Sequence, residues 1–158
     1  MHQSIINLNN IQTSIKSILE KKNNIKIIAV SKTFPINHIN PLIEYGHLDF
    51  GENKVQEAIE KWTDIKMKNK NISLHLVGKL QSNKTKMALK IFDYIHSLDT
   101  EKLANKISEE QKGMAKKPKL FIQVNIGNED QKSGINPNKL KSFYKYCLDK
   151  NLDVIGTM

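Results

Sequence analysis

Residues 25–33 read IKIIAVSKT, a short apolar and β-branched run with Lys32 next to its end and Pro35 soon after. Its length and composition predict a strand covered on both faces, closed by the proline. Similar segments recur along the chain: HLDFGEN at 47–53, LHLVGKL at 74–80, YIHSL at 94–98, LFIQVNI at 120–126 and DVIGTM at 153–158. Helical periodicity fills the intervals, so strand and helix alternate in units of about 20–30 residues, the pattern of a parallel α/β sheet with right-handed crossovers. The strands read as apolar on both faces, as a sheet buried under helices requires. A doubly wound sheet and a (β/α) barrel both satisfy this pattern, and periodicity does not choose between them.

The helices are predicted from apolar spacing and from their ends. Residues 3–22 carry Ile5, Leu8, Ile11, Ile15, Ile18 and Leu19 as one stripe. A short helix runs to about Tyr45, with Gly46 as its C′ residue and Pro41 as its first helical residue. Val55, Ala58, Ile59 and Trp62 form a face of the next. Ser82 is expected to cap the fourth helix and Asp99 or Thr100 the fifth, whose Leu103, Ala104 and Ile107 face the core until Gly113 stops it. A helix from about Asn138 to Lys150 presents Leu140, Phe143, Tyr144 and Cys147. The lone Cys147 falls on the core face and reads as a small buried hydrophobe in a reducing, cytoplasmic compartment.

Parallel α/β folds place binding residues at the C-terminal ends of their strands. Those ends are Ser31, Lys32 and Thr33; Gly51, Glu52 and Asn53; Gly78, Lys79, Leu80 and Gln81; His96 and Ser97; and Asn125. Lys32 is the chemical candidate among them. An amine at the mouth of a buried strand is partly desolvated, which favours the neutral form that attacks a carbonyl to give a Schiff base; the plainer alternative is a lysine snorkelling past the rim. Glu52 and Asn53 read more simply as caps of the following helix. His75 and His96, each inside an apolar strand, read as hydrogen-bonded core residues. His2, His38 and His47 show no metal-ligand spacing, so no zinc site is expected, and neither GxGxxG nor a P-loop is present.

The chain has 158 residues with a formal net charge of +9, and all of its basic residues other than histidine are lysine. Lys, Asn and Ile share A/T-rich codons, so base composition explains the charge as well as function does. Without arginine or aromatic interleaving, specific nucleic-acid recognition is not expected. No apolar run approaches the length of a membrane span, and the N-terminus lacks the pattern of a secretory signal.

Taken together, AVSKT at 29–33, DFGENKVQEA at 49–58, HLVGKLQSNK at 75–84, HSLD at 96–99 and QVNIGNEDQKSG at 123–134 resemble the YggS/PROSC family of pyridoxal-phosphate homeostasis proteins in order and spacing. The resemblance implies one TIM-like (β/α) barrel domain related to the barrel of alanine racemase, with about six of eight βα units present in residues 1–158. It implies pyridoxal 5′-phosphate held as a Schiff base on Lys32, with Asn53, His75 and Gly78 lining the cofactor mouth. It implies cofactor buffering and transfer to apo-enzymes, without catalytic turnover and without catalytic residues.

The family pattern continues for roughly two more βα units, including the common phosphate-binding loops of such barrels. Weak cofactor affinity and two unpaired strand edges, near 25–33 and 153–158, are therefore expected. The competing readings are a minimal pyridoxal-phosphate-dependent racemase or lyase, a basic nucleic-acid-binding module, and a decayed remnant. The first needs an acid/base residue beside the lysine, and Tyr45, Tyr94, Tyr144 and Tyr146 fall in helices or at strand starts.

Overall fold

Six short stretches rich in apolar residues pair side by side, each returning through a helix. The computed structural model describes residues 2–18, 25–127 and 133–158. In chain order these are α1 (Gln3–Ile18), β1 (Ala29–Val30), α2 (Ile36–Glu44), β2 (Asp49–Glu52), α3 (Val55–Lys68), β3 (Ser73–Leu76), α4 (Thr85–Ile91), β4 (Tyr94–Leu98), α5 (Glu101–Glu110), β5 (Lys119–Ile122), α6 (Leu140–Asp149) and β6 (Val154–Thr157). Single 3-10 turns, Ser82–Lys84 and Pro137–Lys139, lead into α4 and α6. All neighbouring strands are parallel and follow the sequence order β1 to β6.

That order resolves the choice periodicity left open. A doubly wound sheet reverses its strand order part-way, so that helices cover both faces. Here there is no reversal, and right-handed crossovers put every helix on one side. This is the winding of a (β/α) barrel wall, with helices outside and the opposite face turned to the barrel interior.

The outer face carries the core. Phe50, Leu74, Leu76, Ile95, Leu120 and Ile122 are buried from the sheet side, against Ala58, Trp62, Ala88, Ala104, Ile107 and Cys147 from the helices. The inner face differs from the expectation of apolar residues on both sides. Alternation along the strands places Asp49, His75, Tyr94, His96 and Lys119 there, joined by Lys26 through its ion pair with Asp49, so that polar and ionisable groups are interleaved with apolar ones such as Val30 and Phe121.

Several local readings hold. β4 spans the five residues read from YIHSL, and the Thr100 side chain caps α5 by accepting from the Leu103 amide. Gly46, at φ +94°, closes α2 in a Schellman arrangement, with its own amide on the Ile43 carbonyl and the His47 amide on that of Leu42. Cys147 is fully buried, and burial pushes its thiol up to about 11.

Others are corrected. β1 is two residues long, because only Ala29 and Val30 find register partners, Phe50 and Gly51, on its single neighbour. α2 begins at Ile36 rather than at Asn40, with Pro35 as N-cap and Pro41 inside the helix. Starting early buries Ile39, and Pro41 forfeits the bond its missing N–H would make to the Asn37 carbonyl and crowds that carbonyl with its ring. Ser82 does not cap α4; its carbonyl instead accepts from the Thr85 hydroxyl. The stripe of α1 is covered mainly at Leu8, while Ile11 and Ile18 stay exposed; residues 19–22 of that stripe lie outside the described residues. No helix among the described residues is long and apolar enough to cross a membrane.

Candidate functional site

The site is built where β1 runs out. Ser31 follows the strand with its amide on the Gly51 carbonyl (2.8 Å). Its hydroxyl donates to Glu52 Oε1 (2.8 Å) on the helix side of the sheet. Lys32 and Thr33 then leave the strand in a turn closed by the Phe34 amide on the Ser31 carbonyl (3.2 Å), just beyond Val30, which alternation puts on the barrel-interior face. Ile28 and Val30 mark that face, since their methyls fill the space over Gly51, 3.1 and 3.3 Å from where a Cβ would stand. Lys32 is exposed, and among the described residues no carboxylate holds its amine.

The backbone around Lys32 is tied to α3. Lys61 Nζ donates to the Ser31 carbonyl (2.9 Å) and to Glu52 Oε1 (2.8 Å), and Trp62 Nε1 donates to the same carboxylate oxygen (3.0 Å). Glu52 is fully buried and Lys61 is 10% exposed, a pair that persists only because it is bonded on several sides. Glu52 Oε2 has no partner among the described residues. One residue beyond Lys32, the Thr33 amide donates to Glu57 Oε1 (3.0 Å). Thr33 itself sits at φ +66°, left-handed backbone that a β-branched residue rarely adopts.

Asn53 and Gly78 meet at the ends of β2 and β3. A Cβ on Gly78 would lie 2.3 Å from the Asn53 carbonyl oxygen and 2.7 Å from its Cα. Only a glycine lets the two backbones approach so closely. Neither Glu52 nor Asn53 caps α3, whose N-cap is Lys54 without a side-chain bond. Glu52 is instead spent on Ser31, Lys61 and Trp62.

His75 lies deeper, as the third residue of β3, buried on the inner face. Its Nε2 is 3.1 Å from Asp49 Oδ1 and its Nδ1 is 3.0 Å from His96 Nε2. A carboxylate only accepts, so His75 Nε2 carries the hydrogen and Nδ1 accepts from His96. The His75 ring stacks on Tyr94 at 4.3 Å and the His96 ring on Phe121 at 4.3 Å. Lys26 completes the chain with an ion pair to Asp49 (3.1 Å), and this bond raises the lysine's proton affinity. Burial lowers the His75 proton affinity despite the neighbouring Asp49. Burial, aided by the charge of His75, pushes His96 down to about 4.

The structure thus gathers Lys32, Asn53 and Gly78 at the strand ends and sets His75 within the wall, both ring nitrogens engaged. The core reading of the two histidines matches this burial and bonding. The sequence reading placed Trp62 on the core face of its helix but did not find its bond to Glu52, nor Glu57, Lys61 or the Asp49–His75–His96 chain. The signal available for Glu57 and Lys61 was their i, i+4 pair just after a carboxylate ending a strand. No cluster of three or more His, Cys, Asp or Glu able to hold a metal occurs among the described residues.

A family model described as alanine racemase, N-terminal domain, matches residues 6–158. The pyridoxal phosphate homeostasis protein of Pasteurella multocida is 39% identical over 136 residues, which is 86% of this chain and 58% of that protein. That of Buchnera aphidicola subsp. Schizaphis graminum is 40% identical over 163 positions, covering 96% of this chain and 71% of the relative. Among solved structures, PipY of Synechococcus elongatus PCC7942 with PLP bound aligns with a TM-score of 0.76 at 32% identity, over 93% of this chain and 68% of PipY. The chain therefore spans a little over half the length of the Pasteurella relative. With a family model matched over residues 6–158 and this similarity over nearly its whole length, the chain belongs to the family of pyridoxal phosphate homeostasis proteins.

Proposed function

We propose that this chain binds pyridoxal 5′-phosphate as a Schiff base on Lys32 and serves intracellular cofactor homeostasis, holding the cofactor for enzymes that receive it, without catalytic turnover. The observation that carries the reading is the PLP bound in PipY, to which this chain is similar over 93% of its length. The residues present suit the group. Lys32 offers an exposed amine with no carboxylate partner among the described residues, Asn53 and the Gly78 backbone stand at the neighbouring strand ends, and a net charge of +9 favours a phosphate ester. The cofactor supplies an aldehyde: its carbon forms a C=N bond with the lysine nitrogen and one water leaves. The neutral amine is the attacking form. The rim position of Lys32 leaves the linkage accessible to an exchanging amine.

The absence of turnover is supported by the tyrosines. Racemisation needs a second acid/base group beside the lysine. Tyr45 and Tyr146 donate their hydroxyls to Asn9 and Asn105, the Tyr94 ring stacks on His75, and Tyr144 lies on α6, lining a groove against β6.

The test is a spectrum with added pyridoxal 5′-phosphate, then borohydride reduction and peptide mapping. A reduced adduct on Lys32 that Lys32→Ala abolishes supports the proposal. Labelling scattered over the other lysines, or none, overturns it. Sustained racemisation or keto-acid release on incubation with amino acids overturns the claim of no turnover.

A further inference from the structure

Lys32 sits between two residues that are both fixed from outside its own strand. On one side, the Ser31 amide, hydroxyl and carbonyl are engaged by Gly51, Glu52 and Lys61. On the other, the Thr33 amide is taken by Glu57. The second fixation is the unexpected one. A turn that needs φ +66° is most easily made with glycine, yet this chain places a β-branched threonine there. The turn is closed locally by the Phe34 amide on the Ser31 carbonyl (3.2 Å) and by the Thr33 hydroxyl on the Lys32 carbonyl (2.6 Å), and a relaxation of Thr33 to φ below zero would rotate the peptide plane that carries the Lys32 carbonyl. The Glu57 carboxylate opposes that rotation by holding the amide nitrogen of the same peptide at 3.0 Å. Glu57 is in turn steadied by Lys61 Nζ at 3.6 Å, the group that also holds the Ser31 carbonyl. Both ends of the dipeptide step around Lys32 are thus referred to one rigid body, the first two turns of α3, and departures from common backbone geometry of this kind persist where the surroundings over-determine them.

We infer that Glu57 is a positioning residue for Lys32: by accepting from the Thr33 amide it locks the left-handed turn after β1 and thereby sets the direction in which the lysine leaves the strand. The inference rests on the proposed role of Lys32 as the cofactor lysine, and it assigns to α3 the task of presenting the amine. An alternative account of Glu57 is its ion pair with Lys61 alone, which is long at 3.6 Å and has a partly exposed carboxylate. The two accounts separate at Glu57→Gln. Glutamine keeps an acceptor oxygen for the Thr33 amide and discards the charge. Alanine discards both.

The experiment has two readouts on the full chain. Amide hydrogen exchange at Thr33, followed by NMR without cofactor, reads the lock. Formation of the borohydride-reducible Lys32 adduct with pyridoxal 5′-phosphate reads the positioning. Glu57→Ala is expected to lose Thr33 protection and to form the adduct about ten- to a hundredfold more slowly, the scale of a misplaced reacting group, with a melting temperature close to wild type. Glu57→Gln is expected to retain protection and adduct formation near wild type. An unprotected Thr33 amide in the wild-type chain overturns the lock. Wild-type adduct formation in Glu57→Ala overturns the positioning role while leaving the proposed function standing, and so does a Glu57→Gln variant as impaired as alanine. A wild-type chain that never labels Lys32 overturns the proposed function itself, and the positioning role falls with it.

Discussion

Acidification from pH 7 to pH 5 is expected to remove about 2 kcal/mol of stability through His96 alone. The ring is 8% exposed, stacked on Phe121 and bonded to His75, and its proton affinity falls from the usual 6.5 to about 4. The unfolded chain therefore binds a proton that the folded chain refuses between those two values. Stability is lost as pH falls through 6.5 and continues to fall until the native ring protonates near 4. The full loss is about 3 kcal/mol, of which about two-thirds is spent by pH 5. His75 is lowered as well and acts in the same direction. The carboxylate of Asp93 does not confound this window. Its burial is outweighed by bonds from Lys116 and Lys66, so its affinity lies below 3.8 and its contribution is lost only in stronger acid. The assay is urea unfolding at pH 7, 6 and 5, read by the fluorescence of Trp62, the single tryptophan and a fully buried one. His96→Asn removes the titrating ring and is expected to cut the pH slope by more than half while lowering stability at pH 7. A wild-type change below about 0.5 kcal/mol, within the scatter of neutral surface substitutions, refutes the reasoning. So does an undiminished slope in His96→Asn.

Three further outcomes are expected. Lys61→Met leaves the buried Glu52 carboxylate with only neutral donors and costs about 3–5 kcal/mol in urea unfolding; a second change, Glu52→Gln, restores much of it, and an unaffected single variant contradicts the pairing. Gly78→Ala drives a methyl to 2.3 Å from the Asn53 carbonyl oxygen and costs about 1–3 kcal/mol as the strand ends separate; an unchanged melting temperature means that they do not touch. The Cys147 thiol, pushed up to about 11, is thiolate in roughly one molecule in a thousand at pH 8, so iodoacetamide labels it far more slowly in the native state than in urea, and equal rates contradict its burial.

What the sequence made legible divides along the two faces of the sheet. The outer face follows from hydrophobic periodicity, so YIHSL became β4 without adjustment, and Val55, Ala58 and Trp62 came out on one side of α3. A strand needs a neighbour as well as a sequence, and this is why IKIIAVSKT shrank to two residues with one partner. The inner face was misread because its polar residues are diluted among apolar ones in linear order. Asp49, His75 and His96 come from three strands, and only the register Asp49 to Ser73, Gly51 to His75 and His75 to Tyr94 brings them into one chain of bonds. Parity separates these three from the core: in DFGE, SLHL and YIHSL, Asp49, His75 and His96 fall on the parity opposite Phe50, Leu74 and Ile95, whereas Glu52 shares the parity of Phe50 and faces α3.

The same logic explains why local sequence singles out Lys32 and not the residues packed around it. A lysine ending an apolar strand stands out in its own context, since burial of an ammonium is costly, although the structure leaves Lys32 exposed rather than partly desolvated. Glu57 and Lys61 are ordinary in theirs, an i, i+4 pair on an amphipathic helix. Their role depends on where α3 crosses the end of β1, and that placement comes from β2 pairing beside β1, so that Gly51 and Glu52 lie next to Ser31. The Thr33 turn carries the same lesson. Sequence marks a left-handed turn when glycine occupies it, whereas here a threonine is held in it by the Phe34-to-Ser31 backbone bond and by a carboxylate from another element. A lysine on a glycine turn would swing. On this turn its backbone is fixed at both neighbours, and the one element left free to move is the side chain itself, ending in the exposed amine.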